Sequence, residues 1–187
     1  MIRGPRGTVV RLTVTSADKE DAKAQVVSLV RGDVKELNLF GKGEPLTPGA
    51  IAPDIEFTRL EDGEQRKLSD YAGKIVVVDF WACWCKPCME QLDATPKIIE
   101  AHPEWADKVV VLAVSVDDDQ EGPAALVKKR GWKGIEAVWS GPAPLKPYHA
   151  RALPTRYLID RSGKIADASQ EADLAKVIDD YLKTDKK

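Results

Sequence analysis

The chain has 187 residues, 43% of them hydrophobic, and its 28 Lys and Arg against 30 Asp and Glu give a net charge of −2. A chain of this length builds one domain core with a small appendage rather than two full domains. The charges are spread along the sequence, which argues against nucleic acid as a partner, and no window reaches the roughly 20 apolar residues of a membrane-spanning helix.

The N-terminal segment predicts a β-hairpin. Residues 8–15 alternate between apolar and polar side chains, as in a half-buried strand, and a second apolar run at 26–30 follows a charged turn. The sequence then becomes rich in Gly and Pro, which continue neither helices nor central strands. We therefore predict a hairpin fragment over residues 1–37, a linker over 38–50 and the main domain over 51–187.

Beyond the linker, the hydrophobic pattern alternates between strands and helices. Continuously apolar runs are typical of strands covered on both faces, and apolar residues spaced three and four apart indicate helices. The predicted elements are strand 75–82, helix 85–101, strand 109–116, helix 124–130, strand 155–159, a turn at 161–164 with a short partner strand, and a helix over 174–182. This order predicts an α/β fold, with a mostly parallel sheet, helices on both faces and a closing antiparallel hairpin.

The cysteines form the most informative cluster. All three lie between residues 83 and 88, too few and too close together for a disulfide scaffold. Cys85 and Cys88 form a C-x-x-C at the start of a predicted helix, where unpaired N–H groups and the helix dipole lower a thiol pKa from about 8.5, and Lys86 adds positive charge. Pro87 suits the first helical turn. We predict that Cys85 attacks a disulfide from the exposed end and that Cys88, one turn deeper, resolves the mixed disulfide.

Several motifs in a fixed order extend this interpretation across residues 51–168. They are Ala52-Pro53-Asp54, Leu68-Ser69-Asp70-Tyr71, Gly73-Lys74, Asp79-Phe80-Trp81-Ala82, Trp84-Cys85-Lys86-Pro87-Cys88, Val114-Ser115-Val116-Asp117, Leu153-Pro154-Thr155 and Leu158-Ile159-Asp160. With these motifs the segment resembles thioredoxin-like proteins of the TlpA/ResA type, which are AhpC/TSA-like. The resemblance implies a thioredoxin fold with a central mixed sheet. It also implies a thiol-disulfide oxidoreductase that acts on protein thiols and disulfides, here expected to be a reductant, with an upstream electron donor or acceptor.

The resemblance implies two further site features. Pro154, preceded by Leu153, would be a cis proline facing the C-x-x-C across the substrate groove; the alternative is a trans loop residue. Asp79 would be a buried acid beneath Cys88 that exchanges a proton with that thiol. The alternative for Asp79 is a strand-end residue that satisfies backbone groups.

Residues around the cysteines complete the predicted site. Trp84 is expected to offer an apolar surface to the substrate, next to Lys86 and Pro87, whereas Trp81 is assigned to the core. Cys83 stands where the family has a small or polar residue. We expect a bystander thiol, because a bridge to Cys85 two residues away would be strained; alternative disulfides are the other option.

Three positions depart from the related families. Thioredoxins carry a lysine near the buried acid, where this chain has Ala113. TlpA/ResA-type proteins usually have Glu three residues and Pro five residues after the second cysteine, where this chain has Gln91 and Asp93.

Two other functions remain as alternatives. A non-catalytic metal carrier would need ligands beyond the C-x-x-C, and the chain offers Cys83, His102 and His149, with neither histidine in a recognisable motif. We therefore assign no metal and no cofactor. A thiol peroxidase of the peroxiredoxin type would carry Thr three residues before a lone reactive cysteine, and that position holds Ala82.

The N-terminal hairpin resembles the closing segment of the PDZ domains of C-terminal processing proteases, over residues 2–31. The carboxylate-binding loop and pocket helix are missing from the match, so peptide binding is not expected. The first residues lack the hydrophobic run of a signal peptide. Because TlpA/ResA-type proteins are typically exported and membrane-tethered, we expect an extracytoplasmic location. We also expect a monomer.

Overall fold

The computed structural model describes residues 9–14, 25–30, 44–169 and 173–184. The chain divides into two compact units, Met1–Asn38 and Leu39–Lys187. In the first unit, β1 (Val9–Val14) and β2 (Gln25–Val30) pair as antiparallel strands. The start of the PDZ-like match and residues 31–43, which hold much of the predicted linker, lie outside the described residues.

The second unit is built on a seven-stranded mixed sheet. Its strands are β3 (Glu56–Arg59), β4 (Gln65–Lys67), β5 (Ile75–Trp81), β6 (Val109–Ser115), β7 (Ile135–Trp139), β8 (Thr155–Ile159) and β9 (Ile165–Asp167). They lie in the order β4-β3-β7-β6-β5-β8-β9, with β5, β6 and β7 parallel and β8 antiparallel to β5. The mixed sheet and its antiparallel end confirm the predicted α/β class. The expectation of a mostly parallel sheet is wrong, because four of the six strand pairings are antiparallel.

Alternate side chains of β5 pack on opposite faces of the sheet. The helices are α1 (Lys86–Ala101), α2 (Glu121–Arg130) and α3 (Leu174–Thr184). Ile75, Val77 and Trp81 share buried clusters with residues of these helices, whereas Val78 and Phe80 pack with the 3-10 helices Leu68–Tyr71 and Ala143–Leu145. Helices therefore cover both faces: the α-helices and the 3-10 helix Pro103–Trp105 pack on one face, and the 3-10 helices Leu68–Tyr71 and Ala143–Leu145 pack on the other.

Strands β3, β4 and β7 are not predicted by the sequence pattern. These strands have four, three and five residues, and β4 is polar throughout, so none carries an apolar run long enough to be recognised. Helix α2 begins at Glu121, earlier than predicted, because the Asp119 carboxylate accepts the backbone N–H groups of Glu121 and Gly122 at 3.0 and 3.2 Å.

The segment before β3 is attached to the far edge of the sheet. Gly49 donates its N–H to Ile165 O, and Ile165 donates its N–H to Ala50 O, each at 2.8 Å. The described end of the predicted linker is thus part of the second unit. None of the helices in the described ranges is long and apolar enough to cross a bilayer.

Candidate active site

The C-x-x-C lies where β5 passes into α1, and it is closed as a disulfide between Cys85 and Cys88, with the two Cα atoms 5.3 Å apart. Cys85 is the N-cap of α1: its backbone is extended (φ −88°, ψ 92°), and its Sγ accepts the backbone N–H of Cys88 at 3.2 Å. Pro87 occupies the first turn, where no N–H partner is lost. The sulfur of Cys85 therefore takes the place of a capping oxygen at the positive end of the helix.

Exposure around the disulfide is uneven. Cys85 is 4% exposed and Cys88 is 1% exposed. The sequence predicts a more exposed Cys85, but in the oxidised protein the two cysteines differ little in exposure. The indole of Trp84, by contrast, is 69% exposed, while Trp81 is fully buried. Lys86 and Pro87 are also exposed. The solvent-facing side of the motif is thus formed by its aromatic, basic and proline side chains rather than by sulfur.

The loop before β8 brings Leu153 and Pro154 to the site. The peptide bond between them is cis, as the resemblance implies. Leu153 packs against the cluster that contains both cysteines and Trp81, and Pro154 is half-buried. Thr155 Oγ1 donates to Ala152 O at 2.7 Å and closes the loop.

Asp79 is buried in the middle of the sheet, on the face that α1 covers. Its Oδ2 accepts Nη2 and Nε of Arg156 at 2.8 and 3.3 Å, and Nε2 of Gln91 at 3.1 Å. Burial raises the pKa of the Asp79 carboxyl, and the cation of Arg156 and the Gln91 hydrogen bond oppose that rise. Asp79 is therefore held by side chains of β8 and α1.

Arg156 is a site residue that the motifs of the sequence do not mark. Arg156 lies directly opposite Asp79 in the register of β5 and β8. The signal that could have found it is a cation within a predicted strand whose other positions are mostly apolar. Gln91 and Asp93, which differ from the residues usual in TlpA/ResA-type proteins, also have partners in the structure. Gln91 donates to Asp79, and the Asp93 carboxylate accepts the Nε1–H of Trp132 at 2.8 Å.

Cys83 is a free, half-buried thiol. Its backbone N–H donates to the Asp117 carboxylate at 3.0 and 3.2 Å. Burial, together with the negative charge of Asp117, raises the pKa of the Cys83 thiol to about 12. The thiol is protonated at neutral pH, which supports the expectation that it is a bystander.

No contact in the described part of the chain joins either histidine to the cysteines. His102 follows the last residue of α1, about 25 Å along the helix axis from Cys85, and stacks on Trp105 with ring centroids 4.2 Å apart. His149 Nδ1 lies 2.6 Å from Glu44 O. In the described part of the chain, the group with metal-ligating geometry is His102, Glu104 and Asp179, and it contains neither cysteine of the motif.

Comparison with known proteins points to the same chemistry. The model of the AhpC/TSA family matches residues 48–170. The thiol-disulfide oxidoreductase ResA of Bacillus cereus is 32% identical over 145 residues, which cover 77% of this chain and 82% of that protein. The thioredoxin-like protein YneN of Bacillus subtilis is 32% identical over 133 residues, covering 64% of this chain and 69% of that protein.

Solved structures support the fold. The thioredoxin domain of a thiol-disulfide oxidoreductase from Bacteroides vulgatus aligns with a TM-score of 0.63 at 24% identity, covering 73% of this chain and 99% of that one. A Chlorobium tepidum protein described as a thiol:disulfide interchange protein of the DsbE type aligns with a TM-score of 0.60 at 28% identity, covering 74% and 97%. The architecture around the C-x-x-C is the thioredoxin fold.

Proposed function

Because this chain belongs to the AhpC/TSA family and is a thiol-disulfide oxidoreductase, we propose that it reduces protein disulfides through a mixed disulfide on Cys85. The observation that carries the proposal is the position of Cys85 Sγ, which caps α1 and accepts a backbone N–H. In the reduced protein, the same N–H and the helix dipole stabilise a thiolate at this atom. Cys88 lies inside the first turn, within bonding distance of Cys85.

The proposed reaction moves two electrons from the dithiol to the target. The Cys85 thiolate attacks one target sulfur, the target disulfide breaks, and the other target sulfur leaves and takes a proton from solvent. Cys88 then loses its proton and attacks Cys85 Sγ. The bond between Cys85 and the target breaks, and the second target sulfur leaves as a thiolate that is protonated. The target becomes a dithiol, and the enzyme becomes the disulfide.

We assign the proton transfer of the second step to Asp79. General base catalysis needs an acceptor near the attacking thiol, and such groups are recognised by burial together with a specific charge partner. Asp79 is 1% exposed and is linked through Gln91 to the helix that carries Cys88. In this proposal Asp79 receives the Cys88 proton and returns it to solvent after turnover.

The substrate groove is proposed to run between the exposed side of the motif and the cis-proline loop. Trp84 provides apolar area, and Lys86 and Pro87 border the sulfur of Cys85. On the opposite side, Leu153 and Pro154 bring a backbone segment next to the cysteine cluster. In this proposal an extended peptide that carries the target cysteine occupies the groove.

The expected setting follows from the family. We propose a monomer in an extracytoplasmic compartment, either periplasmic or tethered to a membrane. Oxidising conditions there make a dedicated reductant with its own electron donor useful. For residues 1–37 we propose a β-hairpin that resembles the end of a PDZ domain and has no part in the chemistry. Residues 38–50 would join it to the thioredoxin-like domain of residues 51–187.

The reduction potential tests the proposal. Equilibration with glutathione buffers, followed by the fraction of protein in the disulfide form, is expected to give a value nearer that of thioredoxin, about −270 mV, than that of DsbA, about −120 mV. We also expect the protein to catalyse the reduction of insulin disulfides. A potential close to that of DsbA would contradict the reducing direction. Rapid consumption of hydrogen peroxide would favour the peroxidase instead.

A further inference from the structure

Three side chains with metal-ligating atoms meet where the C-terminal end of α1 contacts α3. His102 is the C-cap of α1, Glu104 lies in the 3-10 helix Pro103–Trp105, and Asp179 belongs to α3. His102 Nδ1 lies 2.9 Å from Glu104 Oε1 and 3.9 Å from Asp179 Oδ1. Each residue offers one ligand atom, and the three atoms lie within 4.8 Å of one another. We call these three residues the α1–α3 cluster.

The indole of Trp105 holds two members of the α1–α3 cluster in place. Trp105 is 2% exposed and packs with Leu174 and Ile178 of α3. The imidazole of His102 stacks on the indole, with ring centroids 4.2 Å apart and ring planes at 13°. Trp105 Nε1 donates to Asp179 Oδ1 at 3.1 Å. Contacts of this kind, made by residues behind the ligands, orient the ligands in metal sites, so the imidazole and the carboxylate are arranged in advance.

The atoms of the cluster are close to the spacing of a coordination shell. Bonds from Zn²⁺ to a histidine nitrogen or a carboxylate oxygen are about 2.0–2.2 Å long, so neighbouring ligands of a tetrahedral ion lie about 3.3–3.5 Å apart. The two distances from His102 Nδ1, 2.9 and 3.9 Å, lie on either side of this value. The side chain of Glu104 is 56% exposed, so its carboxylate can move towards an ion without disturbing the core.

The charge and the chemistry of the cluster select one class of cation. Among the residues that the structure describes, His102 is the salt-bridge partner of Glu104 and Asp179, whereas the neighbouring Asp180 is paired with two lysines of α3. Two carboxylates beside a neutral imidazole attract a divalent cation. The imidazole nitrogen suits Zn²⁺ and similar transition metals, while Ca²⁺ and Mg²⁺ prefer shells made of oxygen.

We propose that His102, Glu104 and Asp179 bind a divalent transition-metal ion, with Zn²⁺ as the representative, through His102 Nδ1 and one oxygen of each carboxylate. Water completes the tetrahedron, and the neutral imidazole keeps its proton on Nε2. The site is distinct from a metal carrier built on the C-x-x-C, because it uses no cysteine and lies about 25 Å along α1 from Cys85. The ion joins the end of α1 to α3 and stabilises the folded protein without a part in disulfide reduction.

The first test is a calorimetric titration of the oxidised protein with Zn²⁺, in which the closed disulfide removes Cys85 and Cys88 as ligands. We expect one equivalent of Zn²⁺ to bind, and Ca²⁺ or Mg²⁺ at the same concentration to bind far more weakly. The chain has two histidines, so His149 is an internal control. In NMR spectra the ring nitrogens of His102 should shift with Zn²⁺ and those of His149 should not. A shift at His149 alone, or at neither ring, would overturn the proposal.

Ligand variants locate the ion. Glu104→Gln and Asp179→Asn should each weaken Zn²⁺ binding about tenfold or more, since a lost ligand costs at least as much as a lost residue behind it. Both variants should fold, because Glu104 is exposed and asparagine keeps an oxygen for Trp105 Nε1. His102→Gln should bind most weakly. Asp180→Asn removes the adjacent exposed acid of α3 and should bind as the wild type. Equal weakening in Asp180→Asn would show attraction by general negative charge and contradict a defined site.

Thermal unfolding gives a readout that does not depend on activity. Zn²⁺ at a hundredfold excess over its dissociation constant should raise the Tm of the oxidised wild type by roughly 5–10 °C and leave that of Glu104→Gln nearly unchanged. Cys83→Ala should respond as the wild type, because the free thiol is not a ligand. Loss of the response in Cys83→Ala, its persistence in Glu104→Gln, or its absence from the wild type would each overturn the metal site. Disulfide reduction by Cys85 would stand in all three cases.

Discussion

Trp132 packs edge-on against Trp81, with ring centroids 5.4 Å apart and ring planes at 82°. Both rings belong to the buried cluster that holds Cys85 and Cys88. Trp132 follows α2, and its Nε1 donates to the carboxylate of Asp93 on α1 at 2.8 Å. Asp93 thus links α1, the helix that carries Cys88, to the connection between α2 and β7. TlpA/ResA-type proteins usually have proline at this position.

Replacing Asp93 by Ala should destabilise the protein by about 1–3 kcal/mol, because the buried indole N–H of Trp132 loses its acceptor. The contact with Arg130 Nη1, at 2.6 Å, is lost as well, but it is more exposed and contributes less. Urea denaturation measures the change. Glu90→Ala, which removes an exposed acid from the same helix, is the matched control, and equal losses for the two variants would contradict the role of Asp93.

The three thiols should react at very different rates. In the reduced protein at neutral pH, iodoacetamide is expected to modify Cys85 first, because its sulfur caps α1, and Cys88 much more slowly. Cys83, with its pKa of about 12, should carry about a thousandfold less thiolate than a free cysteine and accelerate only as the pH rises towards that value. Peptide mass spectrometry over time measures the rates. Equal labelling of Cys85 and Cys88 would contradict the assignment of the nucleophile.

Much of the site can be predicted from the sequence because it is local. A buried strand, an N-cap cysteine, a proline in the first turn and a second cysteine one turn on are consecutive residues, so their relationship follows from helix geometry alone. An acid within an apolar run likewise marks Asp79, since a buried carboxyl requires partners.

The partners themselves are not local. Arg156 meets Asp79 through the pairing of β5 with β8, and the two residues are 77 positions apart. The register of two strands depends on the packing of both sheet faces, which no short window of sequence contains. The short strands β3, β4 and β7 escape prediction for another reason: with four, three and five residues, they are too short to show a recognisable pattern.

Trp84→Ala should weaken the reduction of protein substrates more than that of small disulfides. The indole is 69% exposed beside Cys85 and does not belong to the core, so its removal leaves the fold intact. Loss of a contact aromatic at a binding surface typically costs about 1–2 kcal/mol, which corresponds to roughly a tenfold fall in kcat/KM for insulin. With dithiobis(nitrobenzoate) the rate should change little. A matching fall for both substrates would assign Trp84 to the chemistry or to folding instead.

Removing residues 1–40 should leave disulfide reduction largely unchanged. The first compact unit ends at Asn38, and the proposed site residues all belong to the second unit. The truncated chain keeps Glu44, whose carbonyl contacts His149, and Gly49, whose N–H donates to Ile165 O. Initial rates with insulin and with dithiobis(nitrobenzoate) measure the effect, and circular dichroism verifies folding. A folded truncation that loses most of its activity towards the small disulfide would give the N-terminal unit a functional role.

Replacing Cys88 by Ser should convert the enzyme into a covalent trap. In the proposed reaction the two steps use different sulfurs: Cys85 forms the mixed disulfide, and Cys88 releases it. Serine preserves the size of the side chain and the helical turn, but its hydroxyl is far too weakly acidic to attack. The mixed disulfide with an oxidised protein substrate should therefore persist on a non-reducing gel, whereas Cys85→Ser should form no complex.

The lifetime of this mixed disulfide depends on whether Cys83 can replace Cys88. Cys83 stands two residues before Cys85, and a thiol that could replace Cys88 would release the target and let the complex decay. Because its pKa is raised to about 12, Cys83 should remain protonated and fail to do so at neutral pH. The double variant Cys83→Ala/Cys88→Ser should then hold complexes as long as Cys88→Ser alone near pH 7, and longer only in strongly alkaline buffer. Faster decay of the single variant at neutral pH would make Cys83 a resolving thiol, and complexes formed by Cys85→Ser but not by Cys88→Ser would reverse the roles of the two motif cysteines.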